Sequence, residues 1–201
     1  MKIKKLNLGS GPTGINGWIN FDWGVLPVLS KMPLVRSIFV KLGLLSRNYD
    51  AVWPTIKLVD IRKDLPLENK SIDYIYCSHV LEHFEKFEVI KIVKECKRVL
   101  KKNGLIRIVL PDLQKLIKEY KNADEFCREF YGYEKDVKSW SQMFIRGHEW
   151  MYDTKSFVKL LDEIGFKNCK VVKIKTGEMP DIDKLDLDVH EKLSMYIEAR
   201  K

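Results

Sequence analysis

The sequence has no C-x-x-C pair. Its four cysteines, Cys77, Cys96, Cys127 and Cys169, stand 19, 31 and 42 residues apart. That spacing excludes a zinc knuckle and a dithiol redox motif. Cys77 and Cys96 sit within apolar patterns and read as reduced core residues, as in a cytosolic protein. Long hydrophobic runs are also missing. The most apolar stretch, residues 25–45, is broken by Lys31, Pro33, Arg36 and Lys41, too often for a spanning helix. The opening MKIKKLNLGSGP has no apolar signal-peptide core, so a cytoplasmic location is expected. There is no G-x-x-x-x-G-K-[ST] and no third glycine at the dinucleotide-fingerprint spacing, which disfavours a phosphate-bearing cofactor. Repeats, low-complexity segments and blocks of five like charges are absent as well.

What is present fits one globular domain. Of 201 residues, 45% are apolar and 32% charged, a balance that excludes a disordered chain. Thirty-six Lys and Arg against 28 Asp and Glu give a net charge of +8. That excess suits an acidic partner such as nucleic acid, anionic lipid or a phosphorylated substrate, and does not choose among them.

Apolar patterning places strands at Ile3–Leu8, Trp18–Phe21, Ile56–Val59, Ile72–Cys77, Leu105–Leu110, Phe166–Ile174 and Leu193–Ala199. Residues 24–49 repeat apolar side chains at three- and four-residue steps, with Pro33 splitting them into two short helices. A long helix is expected from about Phe87 to Lys102, closed by Asn103-Gly104, and another over Lys155–Ile164, N-capped by Thr154 and ended by Gly165. Residues 113–150 read as irregular helix. Strands alternating with helices predict an α/β, doubly wound, mostly parallel seven-stranded Rossmann-like sheet. The last two strands lack a helix between them, which makes the final strand antiparallel.

Gly9-Ser10-Gly11 follows the first strand, where ligands of open α/β sheets bind, and glycine lets a ligand approach the backbone. Only Pro12 to Gly17 separate this loop from the next strand. A parallel crossover with a full helix needs on the order of a dozen residues, so the first helix is missing or reduced to one turn. A nucleoside without phosphates still fits. Asp22 ends the second strand, where a carboxylate can accept both ribose hydroxyls. Asp60 ends the third, within reach of a purine amine.

LNLGSGP, GWINFD, LVDIRKDLPLENKSIDYIYCSHVLEHF and GLIRIVLPD together resemble a class I S-adenosylmethionine-dependent methyltransferase, of the short subgroup that lacks the first helix. The resemblance covers residues 3–112 and returns at 148–174 and 190–200. Two departures are Asn7, where an acid is common, and Ser10, where cysteine is common. The resemblance implies S-adenosyl-L-methionine as cofactor, with Asn7, Gly9, Ser10, Gly11 and Ser78 around the methionine portion, Asp22 on the ribose, and Asp60 and Ile61 framing the adenine. It implies a single domain, 1–201, whose helical segments at about 24–49 and 113–150 form the acceptor side. It also implies methyl transfer to a small molecule, a sugar or glycan-precursor oxygen. The alternatives are a non-catalytic nucleoside-binding module of the same fold and a nucleic-acid methyltransferase.

An oxygen acceptor must lose a proton, and a base aids that step. His79 and His148 are the preferred bases; Glu82, His83, Asp112, Glu149 and Asp153 are further candidates. His79 and His83 have an i, i+4 metal spacing, but the H-E-x-x-H order is absent and no third ligand is evident from the sequence, so no metal is expected. Arg36, Phe39, Lys41 and Arg47, then Tyr131, Tyr133, Trp140, Arg146 and Trp150, would line the acceptor walls. The basic amphipathic segment 26–47 could instead touch an anionic membrane peripherally.

Overall fold

Period-two alternation builds the centre of the molecule. In a computed structural model, which describes residues 2–45, 47–50, 52–132 and 147–201, β1 (Lys5–Leu8), β2 (Ile19–Asp22), β3 (Ile56–Leu58), β4 (Ile72–Ser78), β5 (Leu100–Pro111), β6 (Lys167–Val172) and β7 (Ser194–Arg200) form one sheet. Its order is β3-β2-β1-β4-β5-β7-β6. The first five strands are parallel, and β7 runs antiparallel to both β5 and β6. The expected fold class is therefore the observed one, antiparallel final strand included. The reduced first connection is also as expected: between β1 and β2 there is only a 3-10 turn, Gly11–Thr13.

Each strand splits its residues between two faces. Ile75 and Cys77 of β4, Ile106, Ile108 and Leu110 of β5, and Met195, Ile197 and Ala199 of β7 join one core. Against this face pack α3 (Lys86–Val99), through Val89, Ile92, Val93, Cys96 and Val99, and α6 (Thr154–Ile164), through Phe157, Leu160 and Leu161. Tyr76, Leu105, Val109 and Tyr196 point the other way and meet Trp18, Met179 and Leu185 in a second core. On that side the chain between β6 and β7 lies across the sheet, with α7 (Ile182–Leu185) inside it.

Two expected boundaries move. Helix α3 ends at Val99 because Leu100 is already extended and pairs with Ile72, so Asn103-Gly104 belongs to β5 and is no helix cap. Asp153, not Thr154, caps α6: its carboxylate accepts from Ser156 N at 2.7 Å, while Ser156 Oγ accepts from Asp153 N at 3.2 Å. This is a reciprocal capping box. Gly165 takes the left-handed conformation expected of it (φ 90°).

Segment 24–49 divides into α1 (Val25–Leu29) and α2 (Pro33–Lys41), with Pro33 opening the second helix, as expected. Residues 113–150 include α4 (Leu113–Lys118) and α5 (Ala123–Tyr131). Tyr133, Trp140 and Arg146 lie outside the described residues. No described helix is long and apolar enough to cross a membrane.

Candidate active site

The strand order reverses between β1 and β4, and the connections leaving these two strands diverge there to open a crevice at the carboxyl ends. Gly9 follows β1 at φ 64° and Gly11 at φ 51°, both in the region that favours glycine. A Cβ on Gly9 would sit 2.2 Å from Val80 Cγ2, so the first glycine lets the exit of β4 pack against the loop. A Cβ on Gly11 would meet nothing within 4 Å and would project into open space. The two glycines thus differ: one allows close packing, and the other leaves the surface of the loop bare.

Asp22 fixes this bend from the next strand. Its Oδ2 accepts from Gly11 N at 2.7 Å, and Oδ1 accepts from Trp23 N at 2.7 Å. Burial pushes its carboxyl above the usual aspartate value, against the pull of these two amide hydrogen bonds. Each oxygen keeps a lone pair for a further donor. Asp60 is held differently. Oδ1 accepts from Arg62 N and Nε and Oδ2 from Arg62 Nη2, and this pairing with Arg62 holds its carboxyl below the usual range.

Two adjoining hollows share Gly9 and His190. The larger, about 590 Å³, is bordered by Gly11, Asp22, Asp60, Ile61, His79 and His148, with Trp23, Tyr49 and Trp53 as aromatic walls. The smaller, about 40 Å³, is a polar pit under the glycine loop, lined by Asn7, Ser10, Thr13, Tyr76 and Ser78. All ten residues expected to bind cofactor or carry catalysis therefore border one connected crevice. Buried Ser10 Oγ has no hydrogen-bond partner there, an orphan that a ligand group can satisfy.

The far wall is histidine-rich. His79 leaves β4 at φ 52°, a left-handed conformation that histidine visits more readily than branched residues do. Its Nε2 lies 2.9 Å from Ser194 Oγ, its Nδ1 3.2 Å from Glu82 Oε1, and its ring stacks on His190 at 3.7 Å. Both of its nitrogens are engaged. His148 is different: Nδ1 lies 2.9 Å from Phe130 O, and Nε2 has no hydrogen-bond partner among the described residues. Burial pushes the His148 imidazole below its ordinary value, toward the neutral form. Burial likewise pushes the Glu82 carboxyl up, but the hydrogen bond from His79 and the charges of His79, His83 and His148 outweigh it and hold the group at about 2.

Backbone contacts bring these parts together. Glu82 O accepts from Glu149 N at 2.8 Å and Trp150 N at 3.2 Å, and His148 N donates to Tyr131 O at 3.0 Å. Two further candidates prove to be caps. Asp112 caps α4 and accepts from Gln114 N and Thr154 Oγ1, and Asp153 caps α6. Arg36 is buried and its Nη1 lies 3.4 Å from Ser30 O, so it is no acceptor wall. His190 was not expected. Burial pushes it down to about 4, so it lines both hollows as a neutral ring. Its only sequence signal is a histidine in the turn-rich return to β7.

The comparisons with known proteins agree with this geometry. A family model described as a methyltransferase domain matches residues 42–108. A solved SAM-dependent methyltransferase from Thermotoga maritima, described as a possible histamine N-methyltransferase, superposes with a TM-score of 0.54 at 16% identity, covering 100% of this chain and 83% of that one. The chain has the fold of the solved S-adenosylmethionine-dependent methyltransferases, and its residues 42–108 match a methyltransferase domain. A second methyltransferase structure, from Archaeoglobus fulgidus, gives a TM-score of 0.54 at 17% identity and covers 99% of this chain and 86% of its own. An uncharacterized protein of Methanocaldococcus jannaschii, MJ1123, is 30% identical over 125 residues, which are 62% of this chain. The chain spans about half (53%) of the length of that curated relative.

S-adenosylmethionine is the cofactor that this methyltransferase fold implies, and the crevice fits it. The bare Gly11 surface and the spare lone pairs of Asp22 border the large cavity, whose size suits a small molecule, since such sites span about 300–1,000 Å³, and the orphaned Ser10 hydroxyl lines the small pit that adjoins it.

Proposed function

We propose that this protein transfers a methyl group from S-adenosylmethionine to an oxygen of a small-molecule acceptor, a sugar or glycan precursor. One observation carries the reading: the glycine bend, Asp22 and the free His148 nitrogen border the same cavity. Asn7, Gly9, Ser10, Gly11 and Ser78 would hold the methionine portion, Asp22 the ribose, and Asp60 and Ile61 the adenine. Asp60 Oδ2 keeps a lone pair for an exocyclic amine beside its bond to Arg62. The cofactor supplies an electrophilic methyl group on a positively charged sulfur. The chain's task is then to place an acceptor oxygen in line with it, which can supply much of the acceleration. His148 Nε2 is positioned to receive the acceptor proton. His79, tied to Ser194 and Glu82, orders the wall beside it. The aromatic faces of Trp23, Tyr49 and Trp53 suit the apolar faces of a sugar ring.

Calorimetric titration with S-adenosylmethionine and S-adenosylhomocysteine, followed by turnover on a panel of sugar acceptors, tests this reading. Saturable binding of both is expected. His148→Ala should lower turnover by about 10²–10⁴-fold, the usual share of an acid–base group, and His79→Ala should lower it less, both with cofactor affinity unchanged. Binding without turnover on any acceptor would favour the non-catalytic nucleoside-binding module. A salt-sensitive gel shift with RNA or DNA would favour a nucleic-acid methyltransferase.

The surface around α1 and α2 supports peripheral membrane contact within residues 26–47. Leu34 is 81% exposed, Leu42 54% and Ile38 53%, with Lys31 and Lys41 nearby in sequence. Burying such side chains at a bilayer surface is favourable, and anionic lipid adds attraction to the lysines. Co-sedimentation with phosphatidylglycerol vesicles at low salt should capture the protein. A Leu34→Ser, Ile38→Ser variant should remain in the supernatant; equal capture of both proteins would remove the proposal.

A further inference from the structure

Glu82 and His83 lie beside His148 in the crevice, and the reading above gives neither of them a role. One carboxylate oxygen of Glu82 and one ring nitrogen from each histidine lie within 4.8 Å of one another. Glu82 is 1% exposed, and its carboxylate has few donors around it among the described residues. His79 Nδ1 approaches Oε1 at 3.2 Å, and Oε2 has no hydrogen-bond partner among the described residues. An ionised carboxylate left this way inside a protein costs several kcal/mol unless a cation compensates it.

Both histidines are arranged as ligands. His83 Nδ1 lies 3.1 Å from Gly147 O, and His148 Nδ1 lies 2.9 Å from Phe130 O. A carbonyl can only accept, so each Nδ1 carries the proton and each Nε2 presents its lone pair. A donated Nδ1–H is the usual way in which a metal-binding histidine is oriented and its tautomer fixed. Gly132 stands beside His148, where a Cβ would come within 2.6 Å of Nε2; any side chain there would cover that nitrogen. The backbone bonds from Glu149 and Trp150 to Glu82 O bring His148 to Glu82 and His83 across a long stretch of sequence.

We propose that Glu82, His83 and His148 bind one first-row divalent cation. Two neutral imidazoles and a carboxylate suit zinc, manganese or iron(II) better than calcium or magnesium. Ligand atoms about 2.0–2.2 Å from an ion sit about 3–4 Å apart, so small side-chain rotations close the observed spacing. Three protein ligands leave coordination positions open. All three residues line the large cavity, so the open positions face it. There the cation would bind the acceptor hydroxyl and lower its pKa. The O–H bond breaks, its proton passes to solvent, and its electron pair stays on the oxygen. This role rests on the methyl-transfer reading; the metal site does not. With the cation bound, His148 Nε2 is a ligand in place of the proton acceptor, solvent takes the proton of the activated hydroxyl, and loss of His148 lowers turnover through loss of the ion. The sequence showed His79 and His83 at metal spacing, but the set uses Glu82 with His83 and draws its third member from the segment just before α6.

The test uses the untagged full chain, stripped with a chelator and titrated with Zn²⁺ by calorimetry, and with Mn²⁺ by its electron paramagnetic resonance signal. About one ion per chain is expected. Glu82→Gln, His83→Gln and His148→Gln should each weaken binding at least about a hundredfold, beyond what loss of an outer-shell partner causes. Circular dichroism and S-adenosylhomocysteine affinity, both unchanged, would confirm that the variants fold. Failure to retain either ion, or retention equal in all three variants, would overturn the site. A Zn²⁺ complex lost in the variants, in a protein that methylates nothing, would keep the site and reject the enzyme reading. Methylation at an unchanged rate after stripping, with no ion retained, would do the reverse.

Discussion

Replacing Arg107 with methionine should destabilise the fold by about 3–5 kcal/mol, the usual result of removing one partner from a buried ion pair. Arg107 is fully buried in β5 and points to the second face of the sheet. Its guanidinium bonds to Asp186 through Nε and Nη2, to Glu198 Oε1 at 3.0 Å, to Thr176 O at 2.9 Å and to Lys173 O at 3.1 Å. The same two carboxylates accept from the backbone of the crossing segment: Asp186 from Lys175 N, and Glu198 from Glu178 N and Met179 N. Tyr76 adds its hydroxyl to Leu185 O and Asp186 Oδ1. The network therefore clasps residues 173–186 onto the sheet. Methionine would fill most of the volume but leave two buried carboxylates without their cation. For a chain of this size the loss corresponds to a fall in melting temperature of about 6–20 °C. The clasp also holds a wall of the site, because Leu185, Leu187 and His190 line the pit beneath the glycine loop. Cofactor affinity should fall with stability. A melting temperature within about 2 °C of wild type would show that water or local rearrangement compensates the carboxylates.

That network explains what the sequence could and could not convey. In LIRIVL, Arg107 reads as one polar residue in a buried strand, and its partners Asp186 and Glu198 are far along the chain. Local patterning carries no sign of such a pairing, nor of the burial of Glu82 or the arrival of His190 at the crevice. Features whose cause is local were legible. The short link from Gly11 to β2 announced a missing helix, Pro33 divided α1 from α2, and apolar patterning located β4, β5 and β7. The same reasoning placed the glycine loop, Asp22 and Asp60 at strand tips, where the open sheet forms its crevice. Near misses came from competing local signals. Asp153 and Thr154 are both good caps, and the reciprocal bond to Ser156 decides for the first. Asn103-Gly104 resembles a helix terminus, but the ladder pairing of Leu100 with Ile72 begins the strand four residues earlier than the glycine.

On the proposed reading, Asp22→Ala should weaken binding of S-adenosylmethionine by roughly ten- to 150-fold, which corresponds to losing about 1.5–3 kcal/mol from hydrogen bonds to a charged acceptor. The residue has two separable duties. Through Gly11 N and Trp23 N it shapes the loop, and through its remaining lone pairs it would accept the ribose hydroxyls. Alanine removes both, so affinity alone does not apportion the effect. Comparing S-adenosylhomocysteine with its 2′,3′-dideoxy analogue does. If Asp22 accepts the hydroxyls, deleting them should cost wild-type protein several-fold to tenfold or more in affinity and cost the Asp22→Ala variant little, because the acceptor is already gone. If the residue only braces the loop, the two deletions act independently and both proteins lose the same factor, the additive behaviour of uncoupled groups. Calorimetry on the four combinations, with melting temperature as a check on folding, reads the difference directly. Equal factors in the two proteins would withdraw the ribose assignment and leave Asp22 as a bracing residue.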